Sequence, residues 1–257
     1  MLFDVRGRRR HVIRVVYAIL ALLMGASLFL VVGPFNIANL IGGNATSETA
    51  KVLVEQAERA EAKASREVDN PNLLLSVART RVAAGNVQAE TNPQTGQPEL
   101  TPEALESYEK AAEAWNLYLK KTEEPNPSGA ALMAGALFSL AENQSEAQAI
   151  NESIKDAAQA QRIAAEAQPS VGTLTTLAIY EFFNGNFAAG DKAGKEARAM
   201  ASGAQAKEIN KQMAEYRKAG ESWEKQKQSF AKTEKERGKE SLENPFGGLG
   251  ASSGLGE

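Results

Sequence analysis

The stretch "EFFNGNFAAGDKAGKEA" (residues 181–197) decides how this chain folds, because it puts Gly185, Gly190 and Gly194 inside a region otherwise rich in helix formers. Each glycine within a helix costs about 1 kcal/mol relative to alanine. A helical sequence that keeps three of them so close together has a use for each. Two uses are available: a reversal of the chain, or a site where two helices approach too closely for a side chain.

Working outward, the same helical character holds on both sides. "SETAKVLVEQAERAEAKASREVD" (47–69) places Leu53, Ala57, Ala60, Ala64 and Val68 at spacings of three and four, one narrow apolar face. Asn70-Pro71 stops it and starts "NLLLSVARTRVAA", which ends at a Gly85-Asn86 capping signal. Residues 86–101 break the pattern with Asn92-Pro93-Gln94-Thr95-Gly96, the chemistry of a loop or β-hairpin. Thr101-Pro102-Glu103 opens the next helix, which stops before Pro125-Asn126-Pro127. An apolar helix of small residues follows, "GAALMAGALFSLAE". Ser145-x-x-Gln148 reads as a capping box for a long helix that Pro169 ends, and "VGTLTTLAIYEFFN" leads into the opening stretch. The last helix carries Ile209, Met213, Tyr216, Trp223 and Phe230 as its apolar stripe, before a charged and then Gly/Ser-rich tail.

Aligned, the helices repeat. Leu74, Val77, Ala78 and Gly85 recur at the same intervals as Leu174, Leu177, Ala178 and Gly185, with Ala134, Gly135 and Phe138 on a similar face between them. The second helices carry Ala111-Trp115-Tyr118, Ala157-Gln161-Ala164 with Pro169, and Gly190-Gly194-Ala197. This spacing resembles the tetratricopeptide repeat, whose paired helices pack through small residues and end near a proline. The resemblance covers roughly residues 47–230, is degenerate, and keeps its full spacing only at 174–197. It implies that Gly185 turns the chain while Gly190 and Gly194 admit close helix contact. It also implies a curved solenoid whose concave face binds a peptide segment or another protein. Carried over by position, that face holds Leu75, Arg79 and Val82, then Leu132, Ala136 and Ser139, then Thr175, Ile179 and Phe182.

The N-terminus reads differently. Val15–Gly33 is an uncharged run of 19 residues, and a helix of that length reaches roughly 28 Å, about one hydrocarbon core. Arg6, Arg8, Arg9, Arg10 and Arg14 precede it, and Lys51 is the first basic residue after it. The positive-inside rule then sets residues 1–14 in the cytoplasm and the helical part outside the inner membrane. Residues 34–46 become a linker, and Ala21-x-x-x-Gly25 offers a small-residue pair through which two such segments could form a homodimer. The expected fold class is therefore all-α: an N-terminal transmembrane helix, 15–33, followed by a degenerate TPR-like α-solenoid of antiparallel helix pairs, 47–230.

Composition narrows the function. There is no cysteine and the only histidine is His11, so thiolate chemistry and histidine-based triads or metal sites are excluded from the helical part. Residues 44–206 carry 22 acidic against 14 basic side chains, which argues against nucleic acid. Carboxylate pairs such as Glu103 with Glu106 and Glu123 with Glu124 fit a solvated helix surface, and no phosphate-cradling loop follows a strand. The sequence leads to a membrane-anchored protein-interaction scaffold of the cell envelope, without cofactor, metal or catalytic residues. Its partners would be a protein or peptide segment and the lipid bilayer. Two alternatives stay open: a chaperone-like accessory of export that holds unfolded clients, and a structural envelope component.

Overall fold

Three helices begin with the same device. Asn70, Thr101 and Asn126 each stand before a proline, and each side chain accepts a hydrogen bond from a first-turn backbone N–H, at Asn72, Ala104 and Gly129. The cap satisfies one orphan donor while proline supplies a preset φ at a position whose N–H has no helical partner. Ser170 and Thr173 close a reciprocal capping box on a fourth. Before Ala147 the residue at the cap is Glu146, whose side chain makes no cap hydrogen bond, and Ser145 of the expected capping box lies outside the described residues.

The computed structural model describes residues 47–91, 98–144 and 146–243. Among the described residues eight helices follow one another: α1 (Ser47–Ala64), α2 (Pro71–Gln88), α3 (Pro102–Lys121), α4 (Pro127–Asn143), α5 (Ala147–Ala167), α6 (Val171–Phe183), α7 (Phe187–Met200) and α8 (Gly203–Glu243). Between α2 and α3, β1 (Glu90–Thr91) pairs antiparallel with β2 (Pro98–Glu99), so the turn-rich excursion is a small hairpin. Helix α1 stops at Ala64, short of the Asp69 expected from its periodicity, and backbone turns at Arg66, Glu67 and Asn70 carry the chain onward.

The strongest packing joins α2 to α3, α4 to α5 and α6 to α7, with α1 laid on α2 and α8 across both α6 and α7. Short connections reverse the chain within the second and third pairs and the hairpin does so within the first, an all-helical arrangement compatible with a helical repeat. An apolar core runs through it, with Trp115, Met133, Leu137 and Phe182 almost wholly buried. Phe138 of α4 stacks on Tyr180 of α6, with ring centroids 4.3 Å apart, and so ties the second pair to the third.

The glycines of residues 181–197 divide as their spacing suggests. Gly185 takes φ +80°, where its N–H bonds to the Phe182 carbonyl and the N–H of Asn186 bonds to the Glu181 carbonyl. That pair of bonds is a Schellman closure, in which glycine escapes the Cβ penalty of left-handed backbone. Gly190 lies flat under a ring: a Cβ there would stand 2.5 Å from Phe182 Cδ1 and Cε1. At Gly194 it would stand 3.0 Å from Met213 Cγ of α8.

The fold class needs one correction. No helix among the described residues is long and apolar enough to cross a membrane, so the described fold is all-α and includes no transmembrane helix. Residues 15–33 themselves, with the arginines before them, lie outside the described residues.

Candidate functional site

A binding face on paired helices must be both accessible and continuous from one pair to the next. The register that aligns Ala78, Ala134 and Ala178, all core residues, locates such a line one step around the helices from those alanines. On α2 it contains Asn72, Ser76 and Arg79, all exposed. On α4 the same intervals give exposed Ser128 and half-buried Leu132, Gly135 and Ser139. On α6 they give half-buried Gly172 and Thr176 and then buried Ile179 and Phe183, where the accessible line ends. The side chains are short, mostly hydroxyl-bearing or apolar, and carry little charge.

Gly135 marks the centre of this line. A Cβ built there meets nothing within 4 Å, whereas one built at Gly85, Gly129, Gly190, Gly194 or Gly220 runs into a neighbouring helix. Those five glycines are explained by helix packing. Gly135 is not, and its bare backbone faces open space.

The nine positions carried over from the resemblance separate under this geometry. Leu75, Val82, Ala136, Thr175, Ile179 and Phe182 are buried in the core, so no partner reaches their side chains in this conformation. Leu75 fills the space over Gly129 and Phe182 the space over Gly190. Arg79, Leu132 and Ser139 are the three that share the accessible line. The physical reason is angular: neighbouring helix positions point about 100° apart, so an error of one position turns a groove residue into a core residue. Ser76, Gly135 and Thr176 are the members that sequence reasoning passed over. Their signal was available, since each lies two residues before an aligned core position or one after it.

Arg79 is fixed in place by its Nη2, which donates to Asn126 Oδ1 at 2.7 Å. The cap of α4 thereby holds the one cation of the line. At the far end of α4, burial pushes the Glu142 carboxyl up to about 7, yet the residue keeps a solvent-exposed surface. Burial raises the Tyr180 hydroxyl well above its ordinary range, with Glu142 adding to the shift, so Tyr180 stays protonated and serves as a stacking partner for Phe138.

Two other charges are buried more deeply. Arg81 of α2 forks onto Glu61 of α1, with Nε to Oε1 and Nη2 to Oε2 both 2.5 Å. Glu181 of α6 receives Arg162 of α5 on Oε1, while its Oε2 is buried without a hydrogen-bond partner. Among the described residues no three His, Cys, Asp or Glu side chains come together as a metal site. Compared with family models, with curated proteins and with solved structures, the chain finds no match.

Proposed function

We propose that the chain is a protein-interaction scaffold whose TPR-like helix pairs hold an extended peptide segment along Ser76, Arg79, Leu132, Gly135, Ser139 and Thr176. The observation that carries this reading is Gly135, an unpacked glycine in an accessible line that runs over α2 and α4 and ends at Thr176 on α6. Small side chains let a partner backbone come close, and the hydroxyls of Ser76, Ser139 and Thr176 can donate to its carbonyls. The near absence of charge suits a neutral or mildly apolar segment, with Arg79 accepting a single acidic group. The arginine-rich, apolar stretch of residues 6–33 supports a place at the inner membrane, which membrane pelleting at high salt and high pH would check.

Photo-crosslinking in intact cells tests the line. Probes replace Leu132 and Ser139, with a probe at buried Ile179 as the control. One or two discrete partners from the first two positions and none from Ile179 are expected. A broad set of unrelated exported proteins would turn the reading toward a chaperone-like holder of clients. Equal labelling from all three, or none from any, would overturn the assignment of this face.

A further inference from the structure

The two buried ion pairs occupy one register of the repeat with opposite polarity. Arg81 and Glu181 follow Ala78 and Ala178 by the same three residues, so they are equivalent positions on α2 and α6. Each reaches back to the helix that precedes its own pair, Arg81 to Glu61 on α1 and Glu181 to Arg162 on α5. Helix α1 thus lies on α2 as α5 lies on α6, but the cation is on the later helix at the first junction and on the earlier helix at the second. Between them the same register of α4 is Leu137, a neutral core residue.

Stacked helical pairs are alike enough to be mistaken for one another. Each contacts only its neighbours, so an exposed junction can accept the wrong helix from the same chain or from a second copy. Here the wrong choice juxtaposes like charges. Helix α1 placed on α6 sets Glu61 against Glu181, and α5 placed on α2 sets Arg162 against Arg81. Arg81 and Glu181 are almost completely buried, whereas Glu61 and Arg162 stay partly exposed, so in each clash water reaches only one of the two like charges.

We infer that this polarity reversal is a stacking-order device, which admits α1 only to α2 and α5 only to α6 and so keeps the chain from exchanging helices with a second copy. The device explains why so deep a position carries a carboxylate whose second oxygen lacks a hydrogen-bond partner, where a leucine fits the same register of α4. It is independent of what the accessible face binds.

Full-length protein with Arg162→Glu and Glu181→Arg together tests it. The double change restores a pair at the second junction but gives both junctions the same polarity. The expected result is a melting temperature close to the parent's, with a several-fold rise in dimer after refolding, read by light scattering over a concentration series. The single change Glu181→Arg is expected to lower the melting temperature sharply, which establishes that the pair is formed. Should the double variant fold poorly, Glu61→Arg with Arg81→Glu equalises the polarity from the other junction. A double variant that refolds with the parent's monomer fraction would overturn the inference. So would failure of both double variants to fold, because restored pairs would then not be interchangeable.

Discussion

The first and third helix pairs solve one packing problem with their parts exchanged. In α6/α7 the ring belongs to the first helix, Phe182, and the glycine beneath it to the second, Gly190. In α2/α3 the ring belongs to the second helix, Tyr108, and the glycine to the first, Gly85. The contacts are nearly identical. A Cβ on either glycine would stand 2.5 Å from two ring carbons, and 3.1–3.2 Å from the carbonyl of Ala178 or Ala104, four residues before the ring. What matters to the fold is a flat ring opposite a missing side chain, and either helix can supply either half. The closures differ. Gly185 ends α6 with left-handed backbone, whereas Gly85 in the same register stays inside α2, which runs on to Gln88 before the hairpin.

The largest effect is expected where the third pair meets its cover. A Cβ at Gly220 of α8 would fall 2.4 Å from the Phe182 carbonyl oxygen and 2.8 Å from its carbon. Backbone cannot rotate out of the way, so Gly220→Ala should destabilise by about 3 kcal/mol in chemical denaturation. A loss under about 1 kcal/mol would show that α8 sits less closely on α6.

Next come the two exchanged contacts. Gly85→Ala and Gly190→Ala must each displace a ring, partly offset by better helix propensity, for a net loss of about 2 kcal/mol apiece. Unequal losses would break the equivalence. Replacement by asparagine then sharpens the contrast at the closures. Gly185→Ala should cost about 1 kcal/mol through its backbone, and Gly185→Asn less, because asparagine tolerates left-handed φ. At Gly85 the order should reverse, asparagine being the larger intruder under Tyr108.

Alkali separates the two exchanged rings more gently. Burial pushes the Tyr108 hydroxyl up to about 12, and it donates to Asn86 Oδ1 at 2.6 Å. An unfolded tyrosine titrates near 10, so between about pH 10 and 12 the native state keeps a proton that the unfolded chain loses. This contribution is intact below pH 10 and lost as pH rises toward 12. Tyr216, also pushed up to about 12, behaves alike. Tyr108→Phe should therefore flatten part of the alkaline fall in unfolding midpoint; Phe182 contributes no such dependence, and that of the third pair comes from Tyr180, whose buried hydroxyl is also raised. The smallest effect belongs to Gly194→Ala. Its nearest neighbours are the Cγ and Sδ of Met213, a flexible chain, so the change should stay within about 0.5 kcal/mol of neutral.

Much of this was legible before any coordinates. The Asn-Pro and Thr-Pro starts, the turn at Gly185 and the excursion at 86–101 are local signals, and each is set by backbone chemistry within a few residues. Position around a helix was less legible. The groove assignments at Leu75, Val82 and Ile179 turned out to be core because the pattern fixes the helical period but leaves its phase to the neighbours. The buried pairs Arg81–Glu61 and Glu181–Arg162 were invisible for another reason. Their partners stand about twenty residues apart in sequence, and mixed charges on a helix read as solvated surface.

By itself, then, the sequence determined which stretches are helical and where the Asn-Pro and Thr-Pro starts lie, which spacings repeat, and that thiolate or histidine chemistry has no place in the helical part. Those outcomes depend on composition and on interactions reaching no further than a helical turn or two. Tertiary structure alone decided which glycines are filled and which is open, which charges lie buried, and which face remains for a partner. Each of these depends on the distance between helices, and that distance is set by every side chain packed between them rather than by any one segment.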